Sequence, residues 1–201
     1  MAEALTTLFS DVGGVLVENP WITVADRLSA TYPLDRALVF RELELLSKDL
    51  DRGKTDLRSF NERLSLSVGQ EIPQASFETL LLESSVKRIV PVWNSLSRIK
   101  GAGTLRVIAL SNMSRQFWSS LERKFRASTL FDATILSYEH GVIKPEPEIY
   151  ALALKETHSP PQECVFLDDT PGNLRAAEKL GLKTHLFTSP KETSAFLRSL
   201  E

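Results

Sequence analysis

The chain has 201 residues, 42% of them hydrophobic and 25% charged, with a formal net charge of −2. That length suits one domain, or one domain carrying a sizeable insertion, and so balanced a charge offers no basic field for nucleic acid or anionic membrane. The single cysteine, Cys164 in an apolar run, excludes a disulfide framework and a thiolate metal cage and fits a reducing compartment.

No apolar run reaches the roughly 18 residues that cross a bilayer. No basic segment followed by an apolar core marks a signal peptide. The expected location is cytoplasmic.

Residues 5–10 read as a first strand that ends in Asp11. Gly13 and Gly14 follow, as in a tight turn where glycine takes φ > 0 or lets a ligand approach closely. Residues 18–92 read as helical throughout. Val39, Leu43, Leu46 and Leu50 share one helix face, as do Leu57, Phe60, Leu64 and Val68. Phe77, Leu80, Leu81 and Val86 indicate a further helix. Pro20, Pro33 and Pro73 stand where helices should start or stop. Arg52-Gly53-Lys54-Thr55 reads as a polar turn. It looks like the end of a Walker A loop, but Lys48 stands where that motif needs its first glycine, which rejects it.

After residue 92 helices and strands alternate. A helix over 93–100 is closed by Gly101 and Gly103. Residues 107–110 form an apolar run, as expected of a parallel strand buried on both faces. Ser114 can cap a helix running to about Phe125. A strand over 133–137, a helix over 146–157 and a strand over 164–167 come next. Thr170-Pro171 is a suitable N-cap and first position for a helix ending at Gly181. A strand over 184–187 and a C-terminal helix complete the chain. The fold class is therefore α/β, a doubly wound parallel sheet with an inserted all-helical segment.

In such sheets ligands bind beyond the carboxyl ends of the strands, and Asp11, Ser111 and Asp168 all stand there. Asp11, Asp168 and Asp169 bring three carboxylates to one crevice, where like charges repel unless a cation intervenes. An all-oxygen donor set without a histidine cluster suits Mg²⁺. His140, His158 and His185 show no metal spacing, and Trp21, Trp93 and Trp118 read as packing residues. Lys144 adds a second positive charge. Ser111-Asn112, before a helix N-terminus, offers a hydroxyl and backbone N–H groups for a phosphate. Together these point to phosphoryl transfer through an aspartyl-phosphate.

The strings FSDVGGVL, ALSNMS, GVIKPEPEIY and VFLDDTPGNLRAAEKLG resemble, in order and separation, the haloacid dehalogenase superfamily of hydrolases. The resemblance spans the whole chain. It implies a core domain over 1–17 and 93–201 and a helical cap over 18–92. It implies Asp11 as nucleophile, Ser111 and Asn112 with Lys144 as the phosphate site, and Mg²⁺ held by Asp11, the Gly13 carbonyl, Asp168 and Asp169. Asn173 takes a supporting place behind them. The turn at Arg52 and Lys54 stands where such caps carry a specificity loop, and Glu18, just after the turn that follows Asp11, is a further candidate at the substrate, by its place alone the group to supply a leaving-group proton.

One position departs from the family's phosphatases. They usually carry a second aspartate two residues after the nucleophile, as a proton donor and then a base. Here it is Gly13. The missing group is worth about 10²–10⁴-fold. Three functions follow. The first is a Mg²⁺-dependent phosphatase acting on a small phosphorylated metabolite. The second is a weak or inactive relative that binds a phosphorylated ligand or partner. The third is a 2-haloacid dehalogenase.

Overall fold

A computed structural model describes residues 4–83 and 87–201. Five apolar runs become strands: β1 (Thr7–Ser10), β2 (Arg106–Ser111), β3 (Ala133–Leu136), β4 (Cys164–Asp168) and β5 (Lys183–Leu186). All pair in parallel, in the order β3-β2-β1-β4-β5. The first strand is thus the central one. Its side chains alternate between two buried faces. Leu8, Val107, Ala109, Val165 and Leu167 belong to one core cluster, and Phe9, Ile108, Leu110, Ile135 and Phe166 to the other. Burial on both sides is why these strands are continuous apolar runs.

Between β1 and the rest of the sheet lie α1 (Pro20–Thr31), α2 (Arg36–Asp51), α3 (Leu57–Val68) and α4 (Gln74–Glu83). Asn19, Asp35 and Asp56 cap the first three through their side chains. The stripe Val39, Leu43, Leu46 and Leu50 is buried, as its spacing requires. Trp21 stacks on Phe60 at 5.4 Å, Phe60 stacks on Phe77 at 5.7 Å, and Trp21 meets Phe117 edge-on at 5.0 Å. Phe117 lies on α6 (Arg115–Phe125), which with α5 (Val90–Ala102) and α10 (Pro190–Arg198) shares the first core cluster. One apolar cluster therefore runs from the four-helix group into that face of the sheet. The opposite face is covered by α8 (Pro147–Thr157) and α9 (Pro171–Glu178), and the short α7 (Ser137–His140) follows β3.

The two chain crossings to the helical group run side by side. Glu18 donates its N–H to Lys87 at 2.9 Å, and Ile89 donates to Leu16 at 2.8 Å. Val17 makes isolated bridges to Gly13 and Arg88.

Several element ends differ from the sequence expectation. The division at 92/93 falls inside α5, because Pro91 is accepted in the first turn, where its missing N–H is harmless. Gly101 lies within α5, and only Gly103, at φ 66°, ends it. Thr170 holds the N-cap position of α9 without capping it, because its hydroxyl bonds the Asp169 carboxylate instead. That helix stops at Glu178, and Gly181 takes φ 90° in the turn beyond. Val86 lies outside the described residues. Among the described residues no helix is long and apolar enough to cross a membrane.

Phe60 is 1% exposed and sits between two rings. Phe60→Ala should lower unfolding stability by about 3–5 kcal/mol, read as a reduced urea midpoint.

Candidate active site

The order β2-β1-β4 sets three strand ends side by side. Asp11 follows β1, Ser111 ends β2 and Asp168 ends β4. Lys144 reaches them from the loop before α8, ahead of a cis Lys144–Pro145 bond. Its Nζ lies 2.9 Å from Asp11 Oδ2 and 2.6 Å from Asp168 Oδ2, and all three side chains are buried. The other Asp11 oxygen, Oδ1, accepts from the Ser111 hydroxyl at 2.7 Å and from the Val12 N–H at 2.7 Å. Asp168 accepts from Thr170 N–H at 2.7 Å and from Asn173 Nδ2 at 3.1 Å to each oxygen. Asn173 thus supports Asp168, and its own carbonyl accepts from the Tyr150 hydroxyl at 2.9 Å.

Asn112, expected at the phosphate site, holds the lysine backbone. Its side chain exchanges two hydrogen bonds with the Lys144 backbone. Lys144 N–H donates to Oδ1 at 2.7 Å, and Nδ2 donates to the Lys144 carbonyl at 3.0 Å. The amide thus ties the lysine to the end of β2, beside Ser111.

Burial pushes the Asp11 carboxyl up to about 7. Lys144 and the Ser111 hydroxyl oppose that rise, and the Asp168 and Asp169 carboxylates add to it. Asp169 is also raised, by burial first and then by Asp168. Burial disfavours the Lys144 ammonium, but Asp11 and Asp168 outweigh it, so Lys144 stays charged above its ordinary value. One oxygen from each of Asp11, Asp168 and Asp169 lies within 4.8 Å of the others. A single ammonium does not neutralise that crowding, and the donors are hard oxygens. The residues present therefore fit a small divalent cation such as Mg²⁺.

The two glycines differ. Gly14 takes φ 77°, and a Cβ there would meet Asp169 Oδ2 at 1.9 Å. Gly13 has no positive φ, and nothing lies within 4 Å of a Cβ built on it. The open space at Gly13 belongs to a cavity of about 630 Å³ between the strand ends and the helical group. Asp11, Lys144, Asp169 and Asn173 line its floor. Trp21, Leu45, Met113 and Phe117 give it an apolar wall.

Three expected substrate positions are not in that lining. Glu18 is exposed, 4.0 Å from Lys87. Arg52 pairs with Glu146, at the start of α8. Lys54 is exposed and does not face the cavity. The helical group instead contributes Glu44, Ser47, Lys48 and Asp51 of α2. Their spacing of three, one and three marks one helix face, a signal the sequence carries. Asp51 was missed outright. Burial pushes its carboxyl up to about 7, against the pull of Lys144 and Arg52. Cys164 is buried and its thiol is pushed up to about 11 by burial, as suits packing rather than reactivity.

The family model described as haloacid dehalogenase-like hydrolase matches residues 6–181. Mouse Acyl-CoA dehydrogenase family member 10 is 29% identical over 148 residues, 72% of this chain but only 13% of that much longer protein. Sesquiterpene phosphatase astK of Aspergillus oryzae is 24% identical over 192 residues, 94% of this chain and 93% of its own length. A HAD family enzyme from Bacteroides thetaiotaomicron, crystallised with magnesium and inorganic phosphate, superposes with a TM-score of 0.72 at 21% identity. That superposition covers 91% of this chain and 94% of the other, and it carries the fold.

The glycine geometry gives a direct test. Gly13→Ala should fold at wild-type stability or up to about 1 kcal/mol above it, because alanine restricts only the unfolded chain there. Gly14→Ala should lose about 1–2 kcal/mol from its backbone conformation alone, and more as Asp169 is displaced. Thermal melts of the two variants read the difference.

Proposed function

The chain belongs to the haloacid dehalogenase-like hydrolases, and from that premise we propose a Mg²⁺-dependent phosphatase acting on a small phosphorylated metabolite through an aspartyl-phosphate on Asp11. The observation that carries it is the buried Asp11 carboxylate, aimed into the cavity and held by Ser111 on one oxygen and Lys144 on the other. Residues 1–17 and 93–201 act as the catalytic core and residues 18–92 as a cap that closes over it.

In this reading an Asp11 oxygen attacks phosphorus and the bond to the leaving alcohol breaks. Ser111 and neighbouring backbone N–H groups hold the phosphoryl oxygens, and Lys144 offsets their charge. Water then attacks the acyl phosphate, which releases inorganic phosphate and restores Asp11. A bound Mg²⁺, held by Asp11, Asp168, Asp169 and the Gly13 carbonyl, supplies charge neutralisation at the phosphoryl group. The apolar wall of Trp21, Leu45 and Phe117 suits the body of the substrate rather than its phosphate. The sesquiterpene phosphatase relative supports a phosphorylated small molecule in this place. The dehalogenase alternative, which needs no metal, leaves Asp168 only its pairing with Lys144 and gives Asp169 no role.

A second reading rests on Gly13, which provides no acid of its own. Here the protein binds a phosphorylated ligand with little or no turnover. 4-Nitrophenyl phosphate separates the two. The phosphatase reading expects release that needs Mg²⁺, stops with chelator, and falls by at least about 10³-fold in Asp11→Asn. Equal release by wild type and Asp11→Asn sinks it. Thermal stabilisation by Mg²⁺ and phosphate without release favours the second reading.

A further inference from the structure

We propose that Asp51, the last residue of α2, is the general acid and base of this site, doing from the helical group what no side chain at Gly13 can do. The inference rests on the phosphatase reading above.

Asp51 lines the same cavity as Asp11, Gly13, Lys144 and Asp169. Its carboxyl is engaged by no hydrogen bond or ion pair among the described residues, and its electrostatic neighbours are Lys144 and Arg52. An acid so placed has no structural partner to satisfy. The backbone that carries it is nonetheless fastened to the core at three points. The Ser137 hydroxyl donates to the Asp51 carbonyl at 2.6 Å while accepting from Met113 N–H at 2.9 Å. Arg52 pairs with Glu146. Gly53, at φ 67°, lies so close to Tyr138 that a Cβ would sit 2.9 Å from the Tyr138 carbonyl oxygen. These contacts fix the end of α2 against the loop that follows Ser111, the phosphate side of the site. A substrate phosphate on Ser111 and Lys144 directs its leaving oxygen away from Asp11, into the space that Gly13 leaves open and Asp51 borders.

The proton balance closes. As Asp11 bonds to phosphorus, the leaving oxygen takes the proton of the Asp51 carboxyl and departs as an alcohol. The Asp51 carboxylate then removes a proton from the water that attacks the acyl phosphate. Phosphate leaves, Asp11 is an ionised carboxylate again, and Asp51 is reprotonated. A carboxyl lifted to about 7 by burial is suited to both directions near neutral pH.

The test is a series of aryl phosphates: 2,4-dinitrophenyl, 4-nitrophenyl and phenyl, in order of worsening leaving group. Asp51→Asn should lower kcat/KM for phenyl phosphate by at least about 10²-fold, while the dinitrophenyl ester, which needs no proton, changes far less. Gly13→Asp in the Asp51→Asn background should restore the phenyl ester. Equal loss on all three esters, or none, overturns the proposal. If Asp51→Asn does not fold, the wild type decides. Between pH 7 and pH 9, its phenyl-to-dinitrophenyl rate ratio should fall as Asp51 loses its proton beside Lys144 and the Arg52–Glu146 pair. A flat ratio overturns the proposal. No turnover of any ester by the wild type removes the phosphatase reading itself, and this proposal with it. Turnover with an unchanged ester ratio in Asp51→Asn removes this proposal alone.

Discussion

One buried ammonium holds the site together. Lys144 lies within 2.9 Å of Asp11 and 2.6 Å of Asp168, on neighbouring strands, and none of the three reaches water freely. Ion pairs so buried are held for arrangement more than for net stability, since desolvation offsets much of their attraction. Without the lysine, two buried carboxylates would face each other and at least one would take up a proton. The rest of the site serves this pairing. Asn112 spends both amide groups on the lysine backbone, Asn173 and the Thr170 N–H saturate Asp168, and Ser111 occupies the free side of Asp11.

The sheet explains why these residues can meet although they lie far apart in sequence. β1 is the central strand, so its end is flanked by β2 on one side and β4 on the other. Strands buried on both faces are apolar through their middles, and polar groups gather at the carboxyl ends, where the sheet opens. That transition was legible as Asp11, Ser111 and Asp168. The parallel strands and the helical segment were legible for the same reason, since continuous apolar runs and apolar stripes of period 3.6 are written directly into the residues.

What was not legible depended on partners from elsewhere in the chain. Thr170 has the residue type of a cap, yet a carboxylate one residue away competes for its hydroxyl. Asn112 has a phosphate-binding neighbourhood, and its amide also holds a loop 32 residues on, a contact no local pattern shows. Gly101 resembles a stop, and the helix passes through it. Asp51 directly follows the apolar stripe of α2, and a polar helix face reveals its surroundings only when the opposing surface is known. The turn residues Arg52 and Lys54 stand where the resemblance implies a specificity loop. The cavity lies against the helix before them, and Arg52 instead fastens that helix to Glu146.

The contrast between the two glycines turns on the same logic. Gly14 is constrained by packing, because Asp169 fills the space a side chain would need. Gly13 is constrained by nothing in the fold, so its lack of a side chain is a matter of chemistry rather than of space. A proton donor in the turn after β1 is present whenever the sheet is folded. A donor at the end of α2 is present only when the helical group is seated, with Ser137, Glu146 and Tyr138 gripping its last turn. With Asp51 as the acid of the proposed mechanism, proton transfer would depend on the contacts that seat the end of α2.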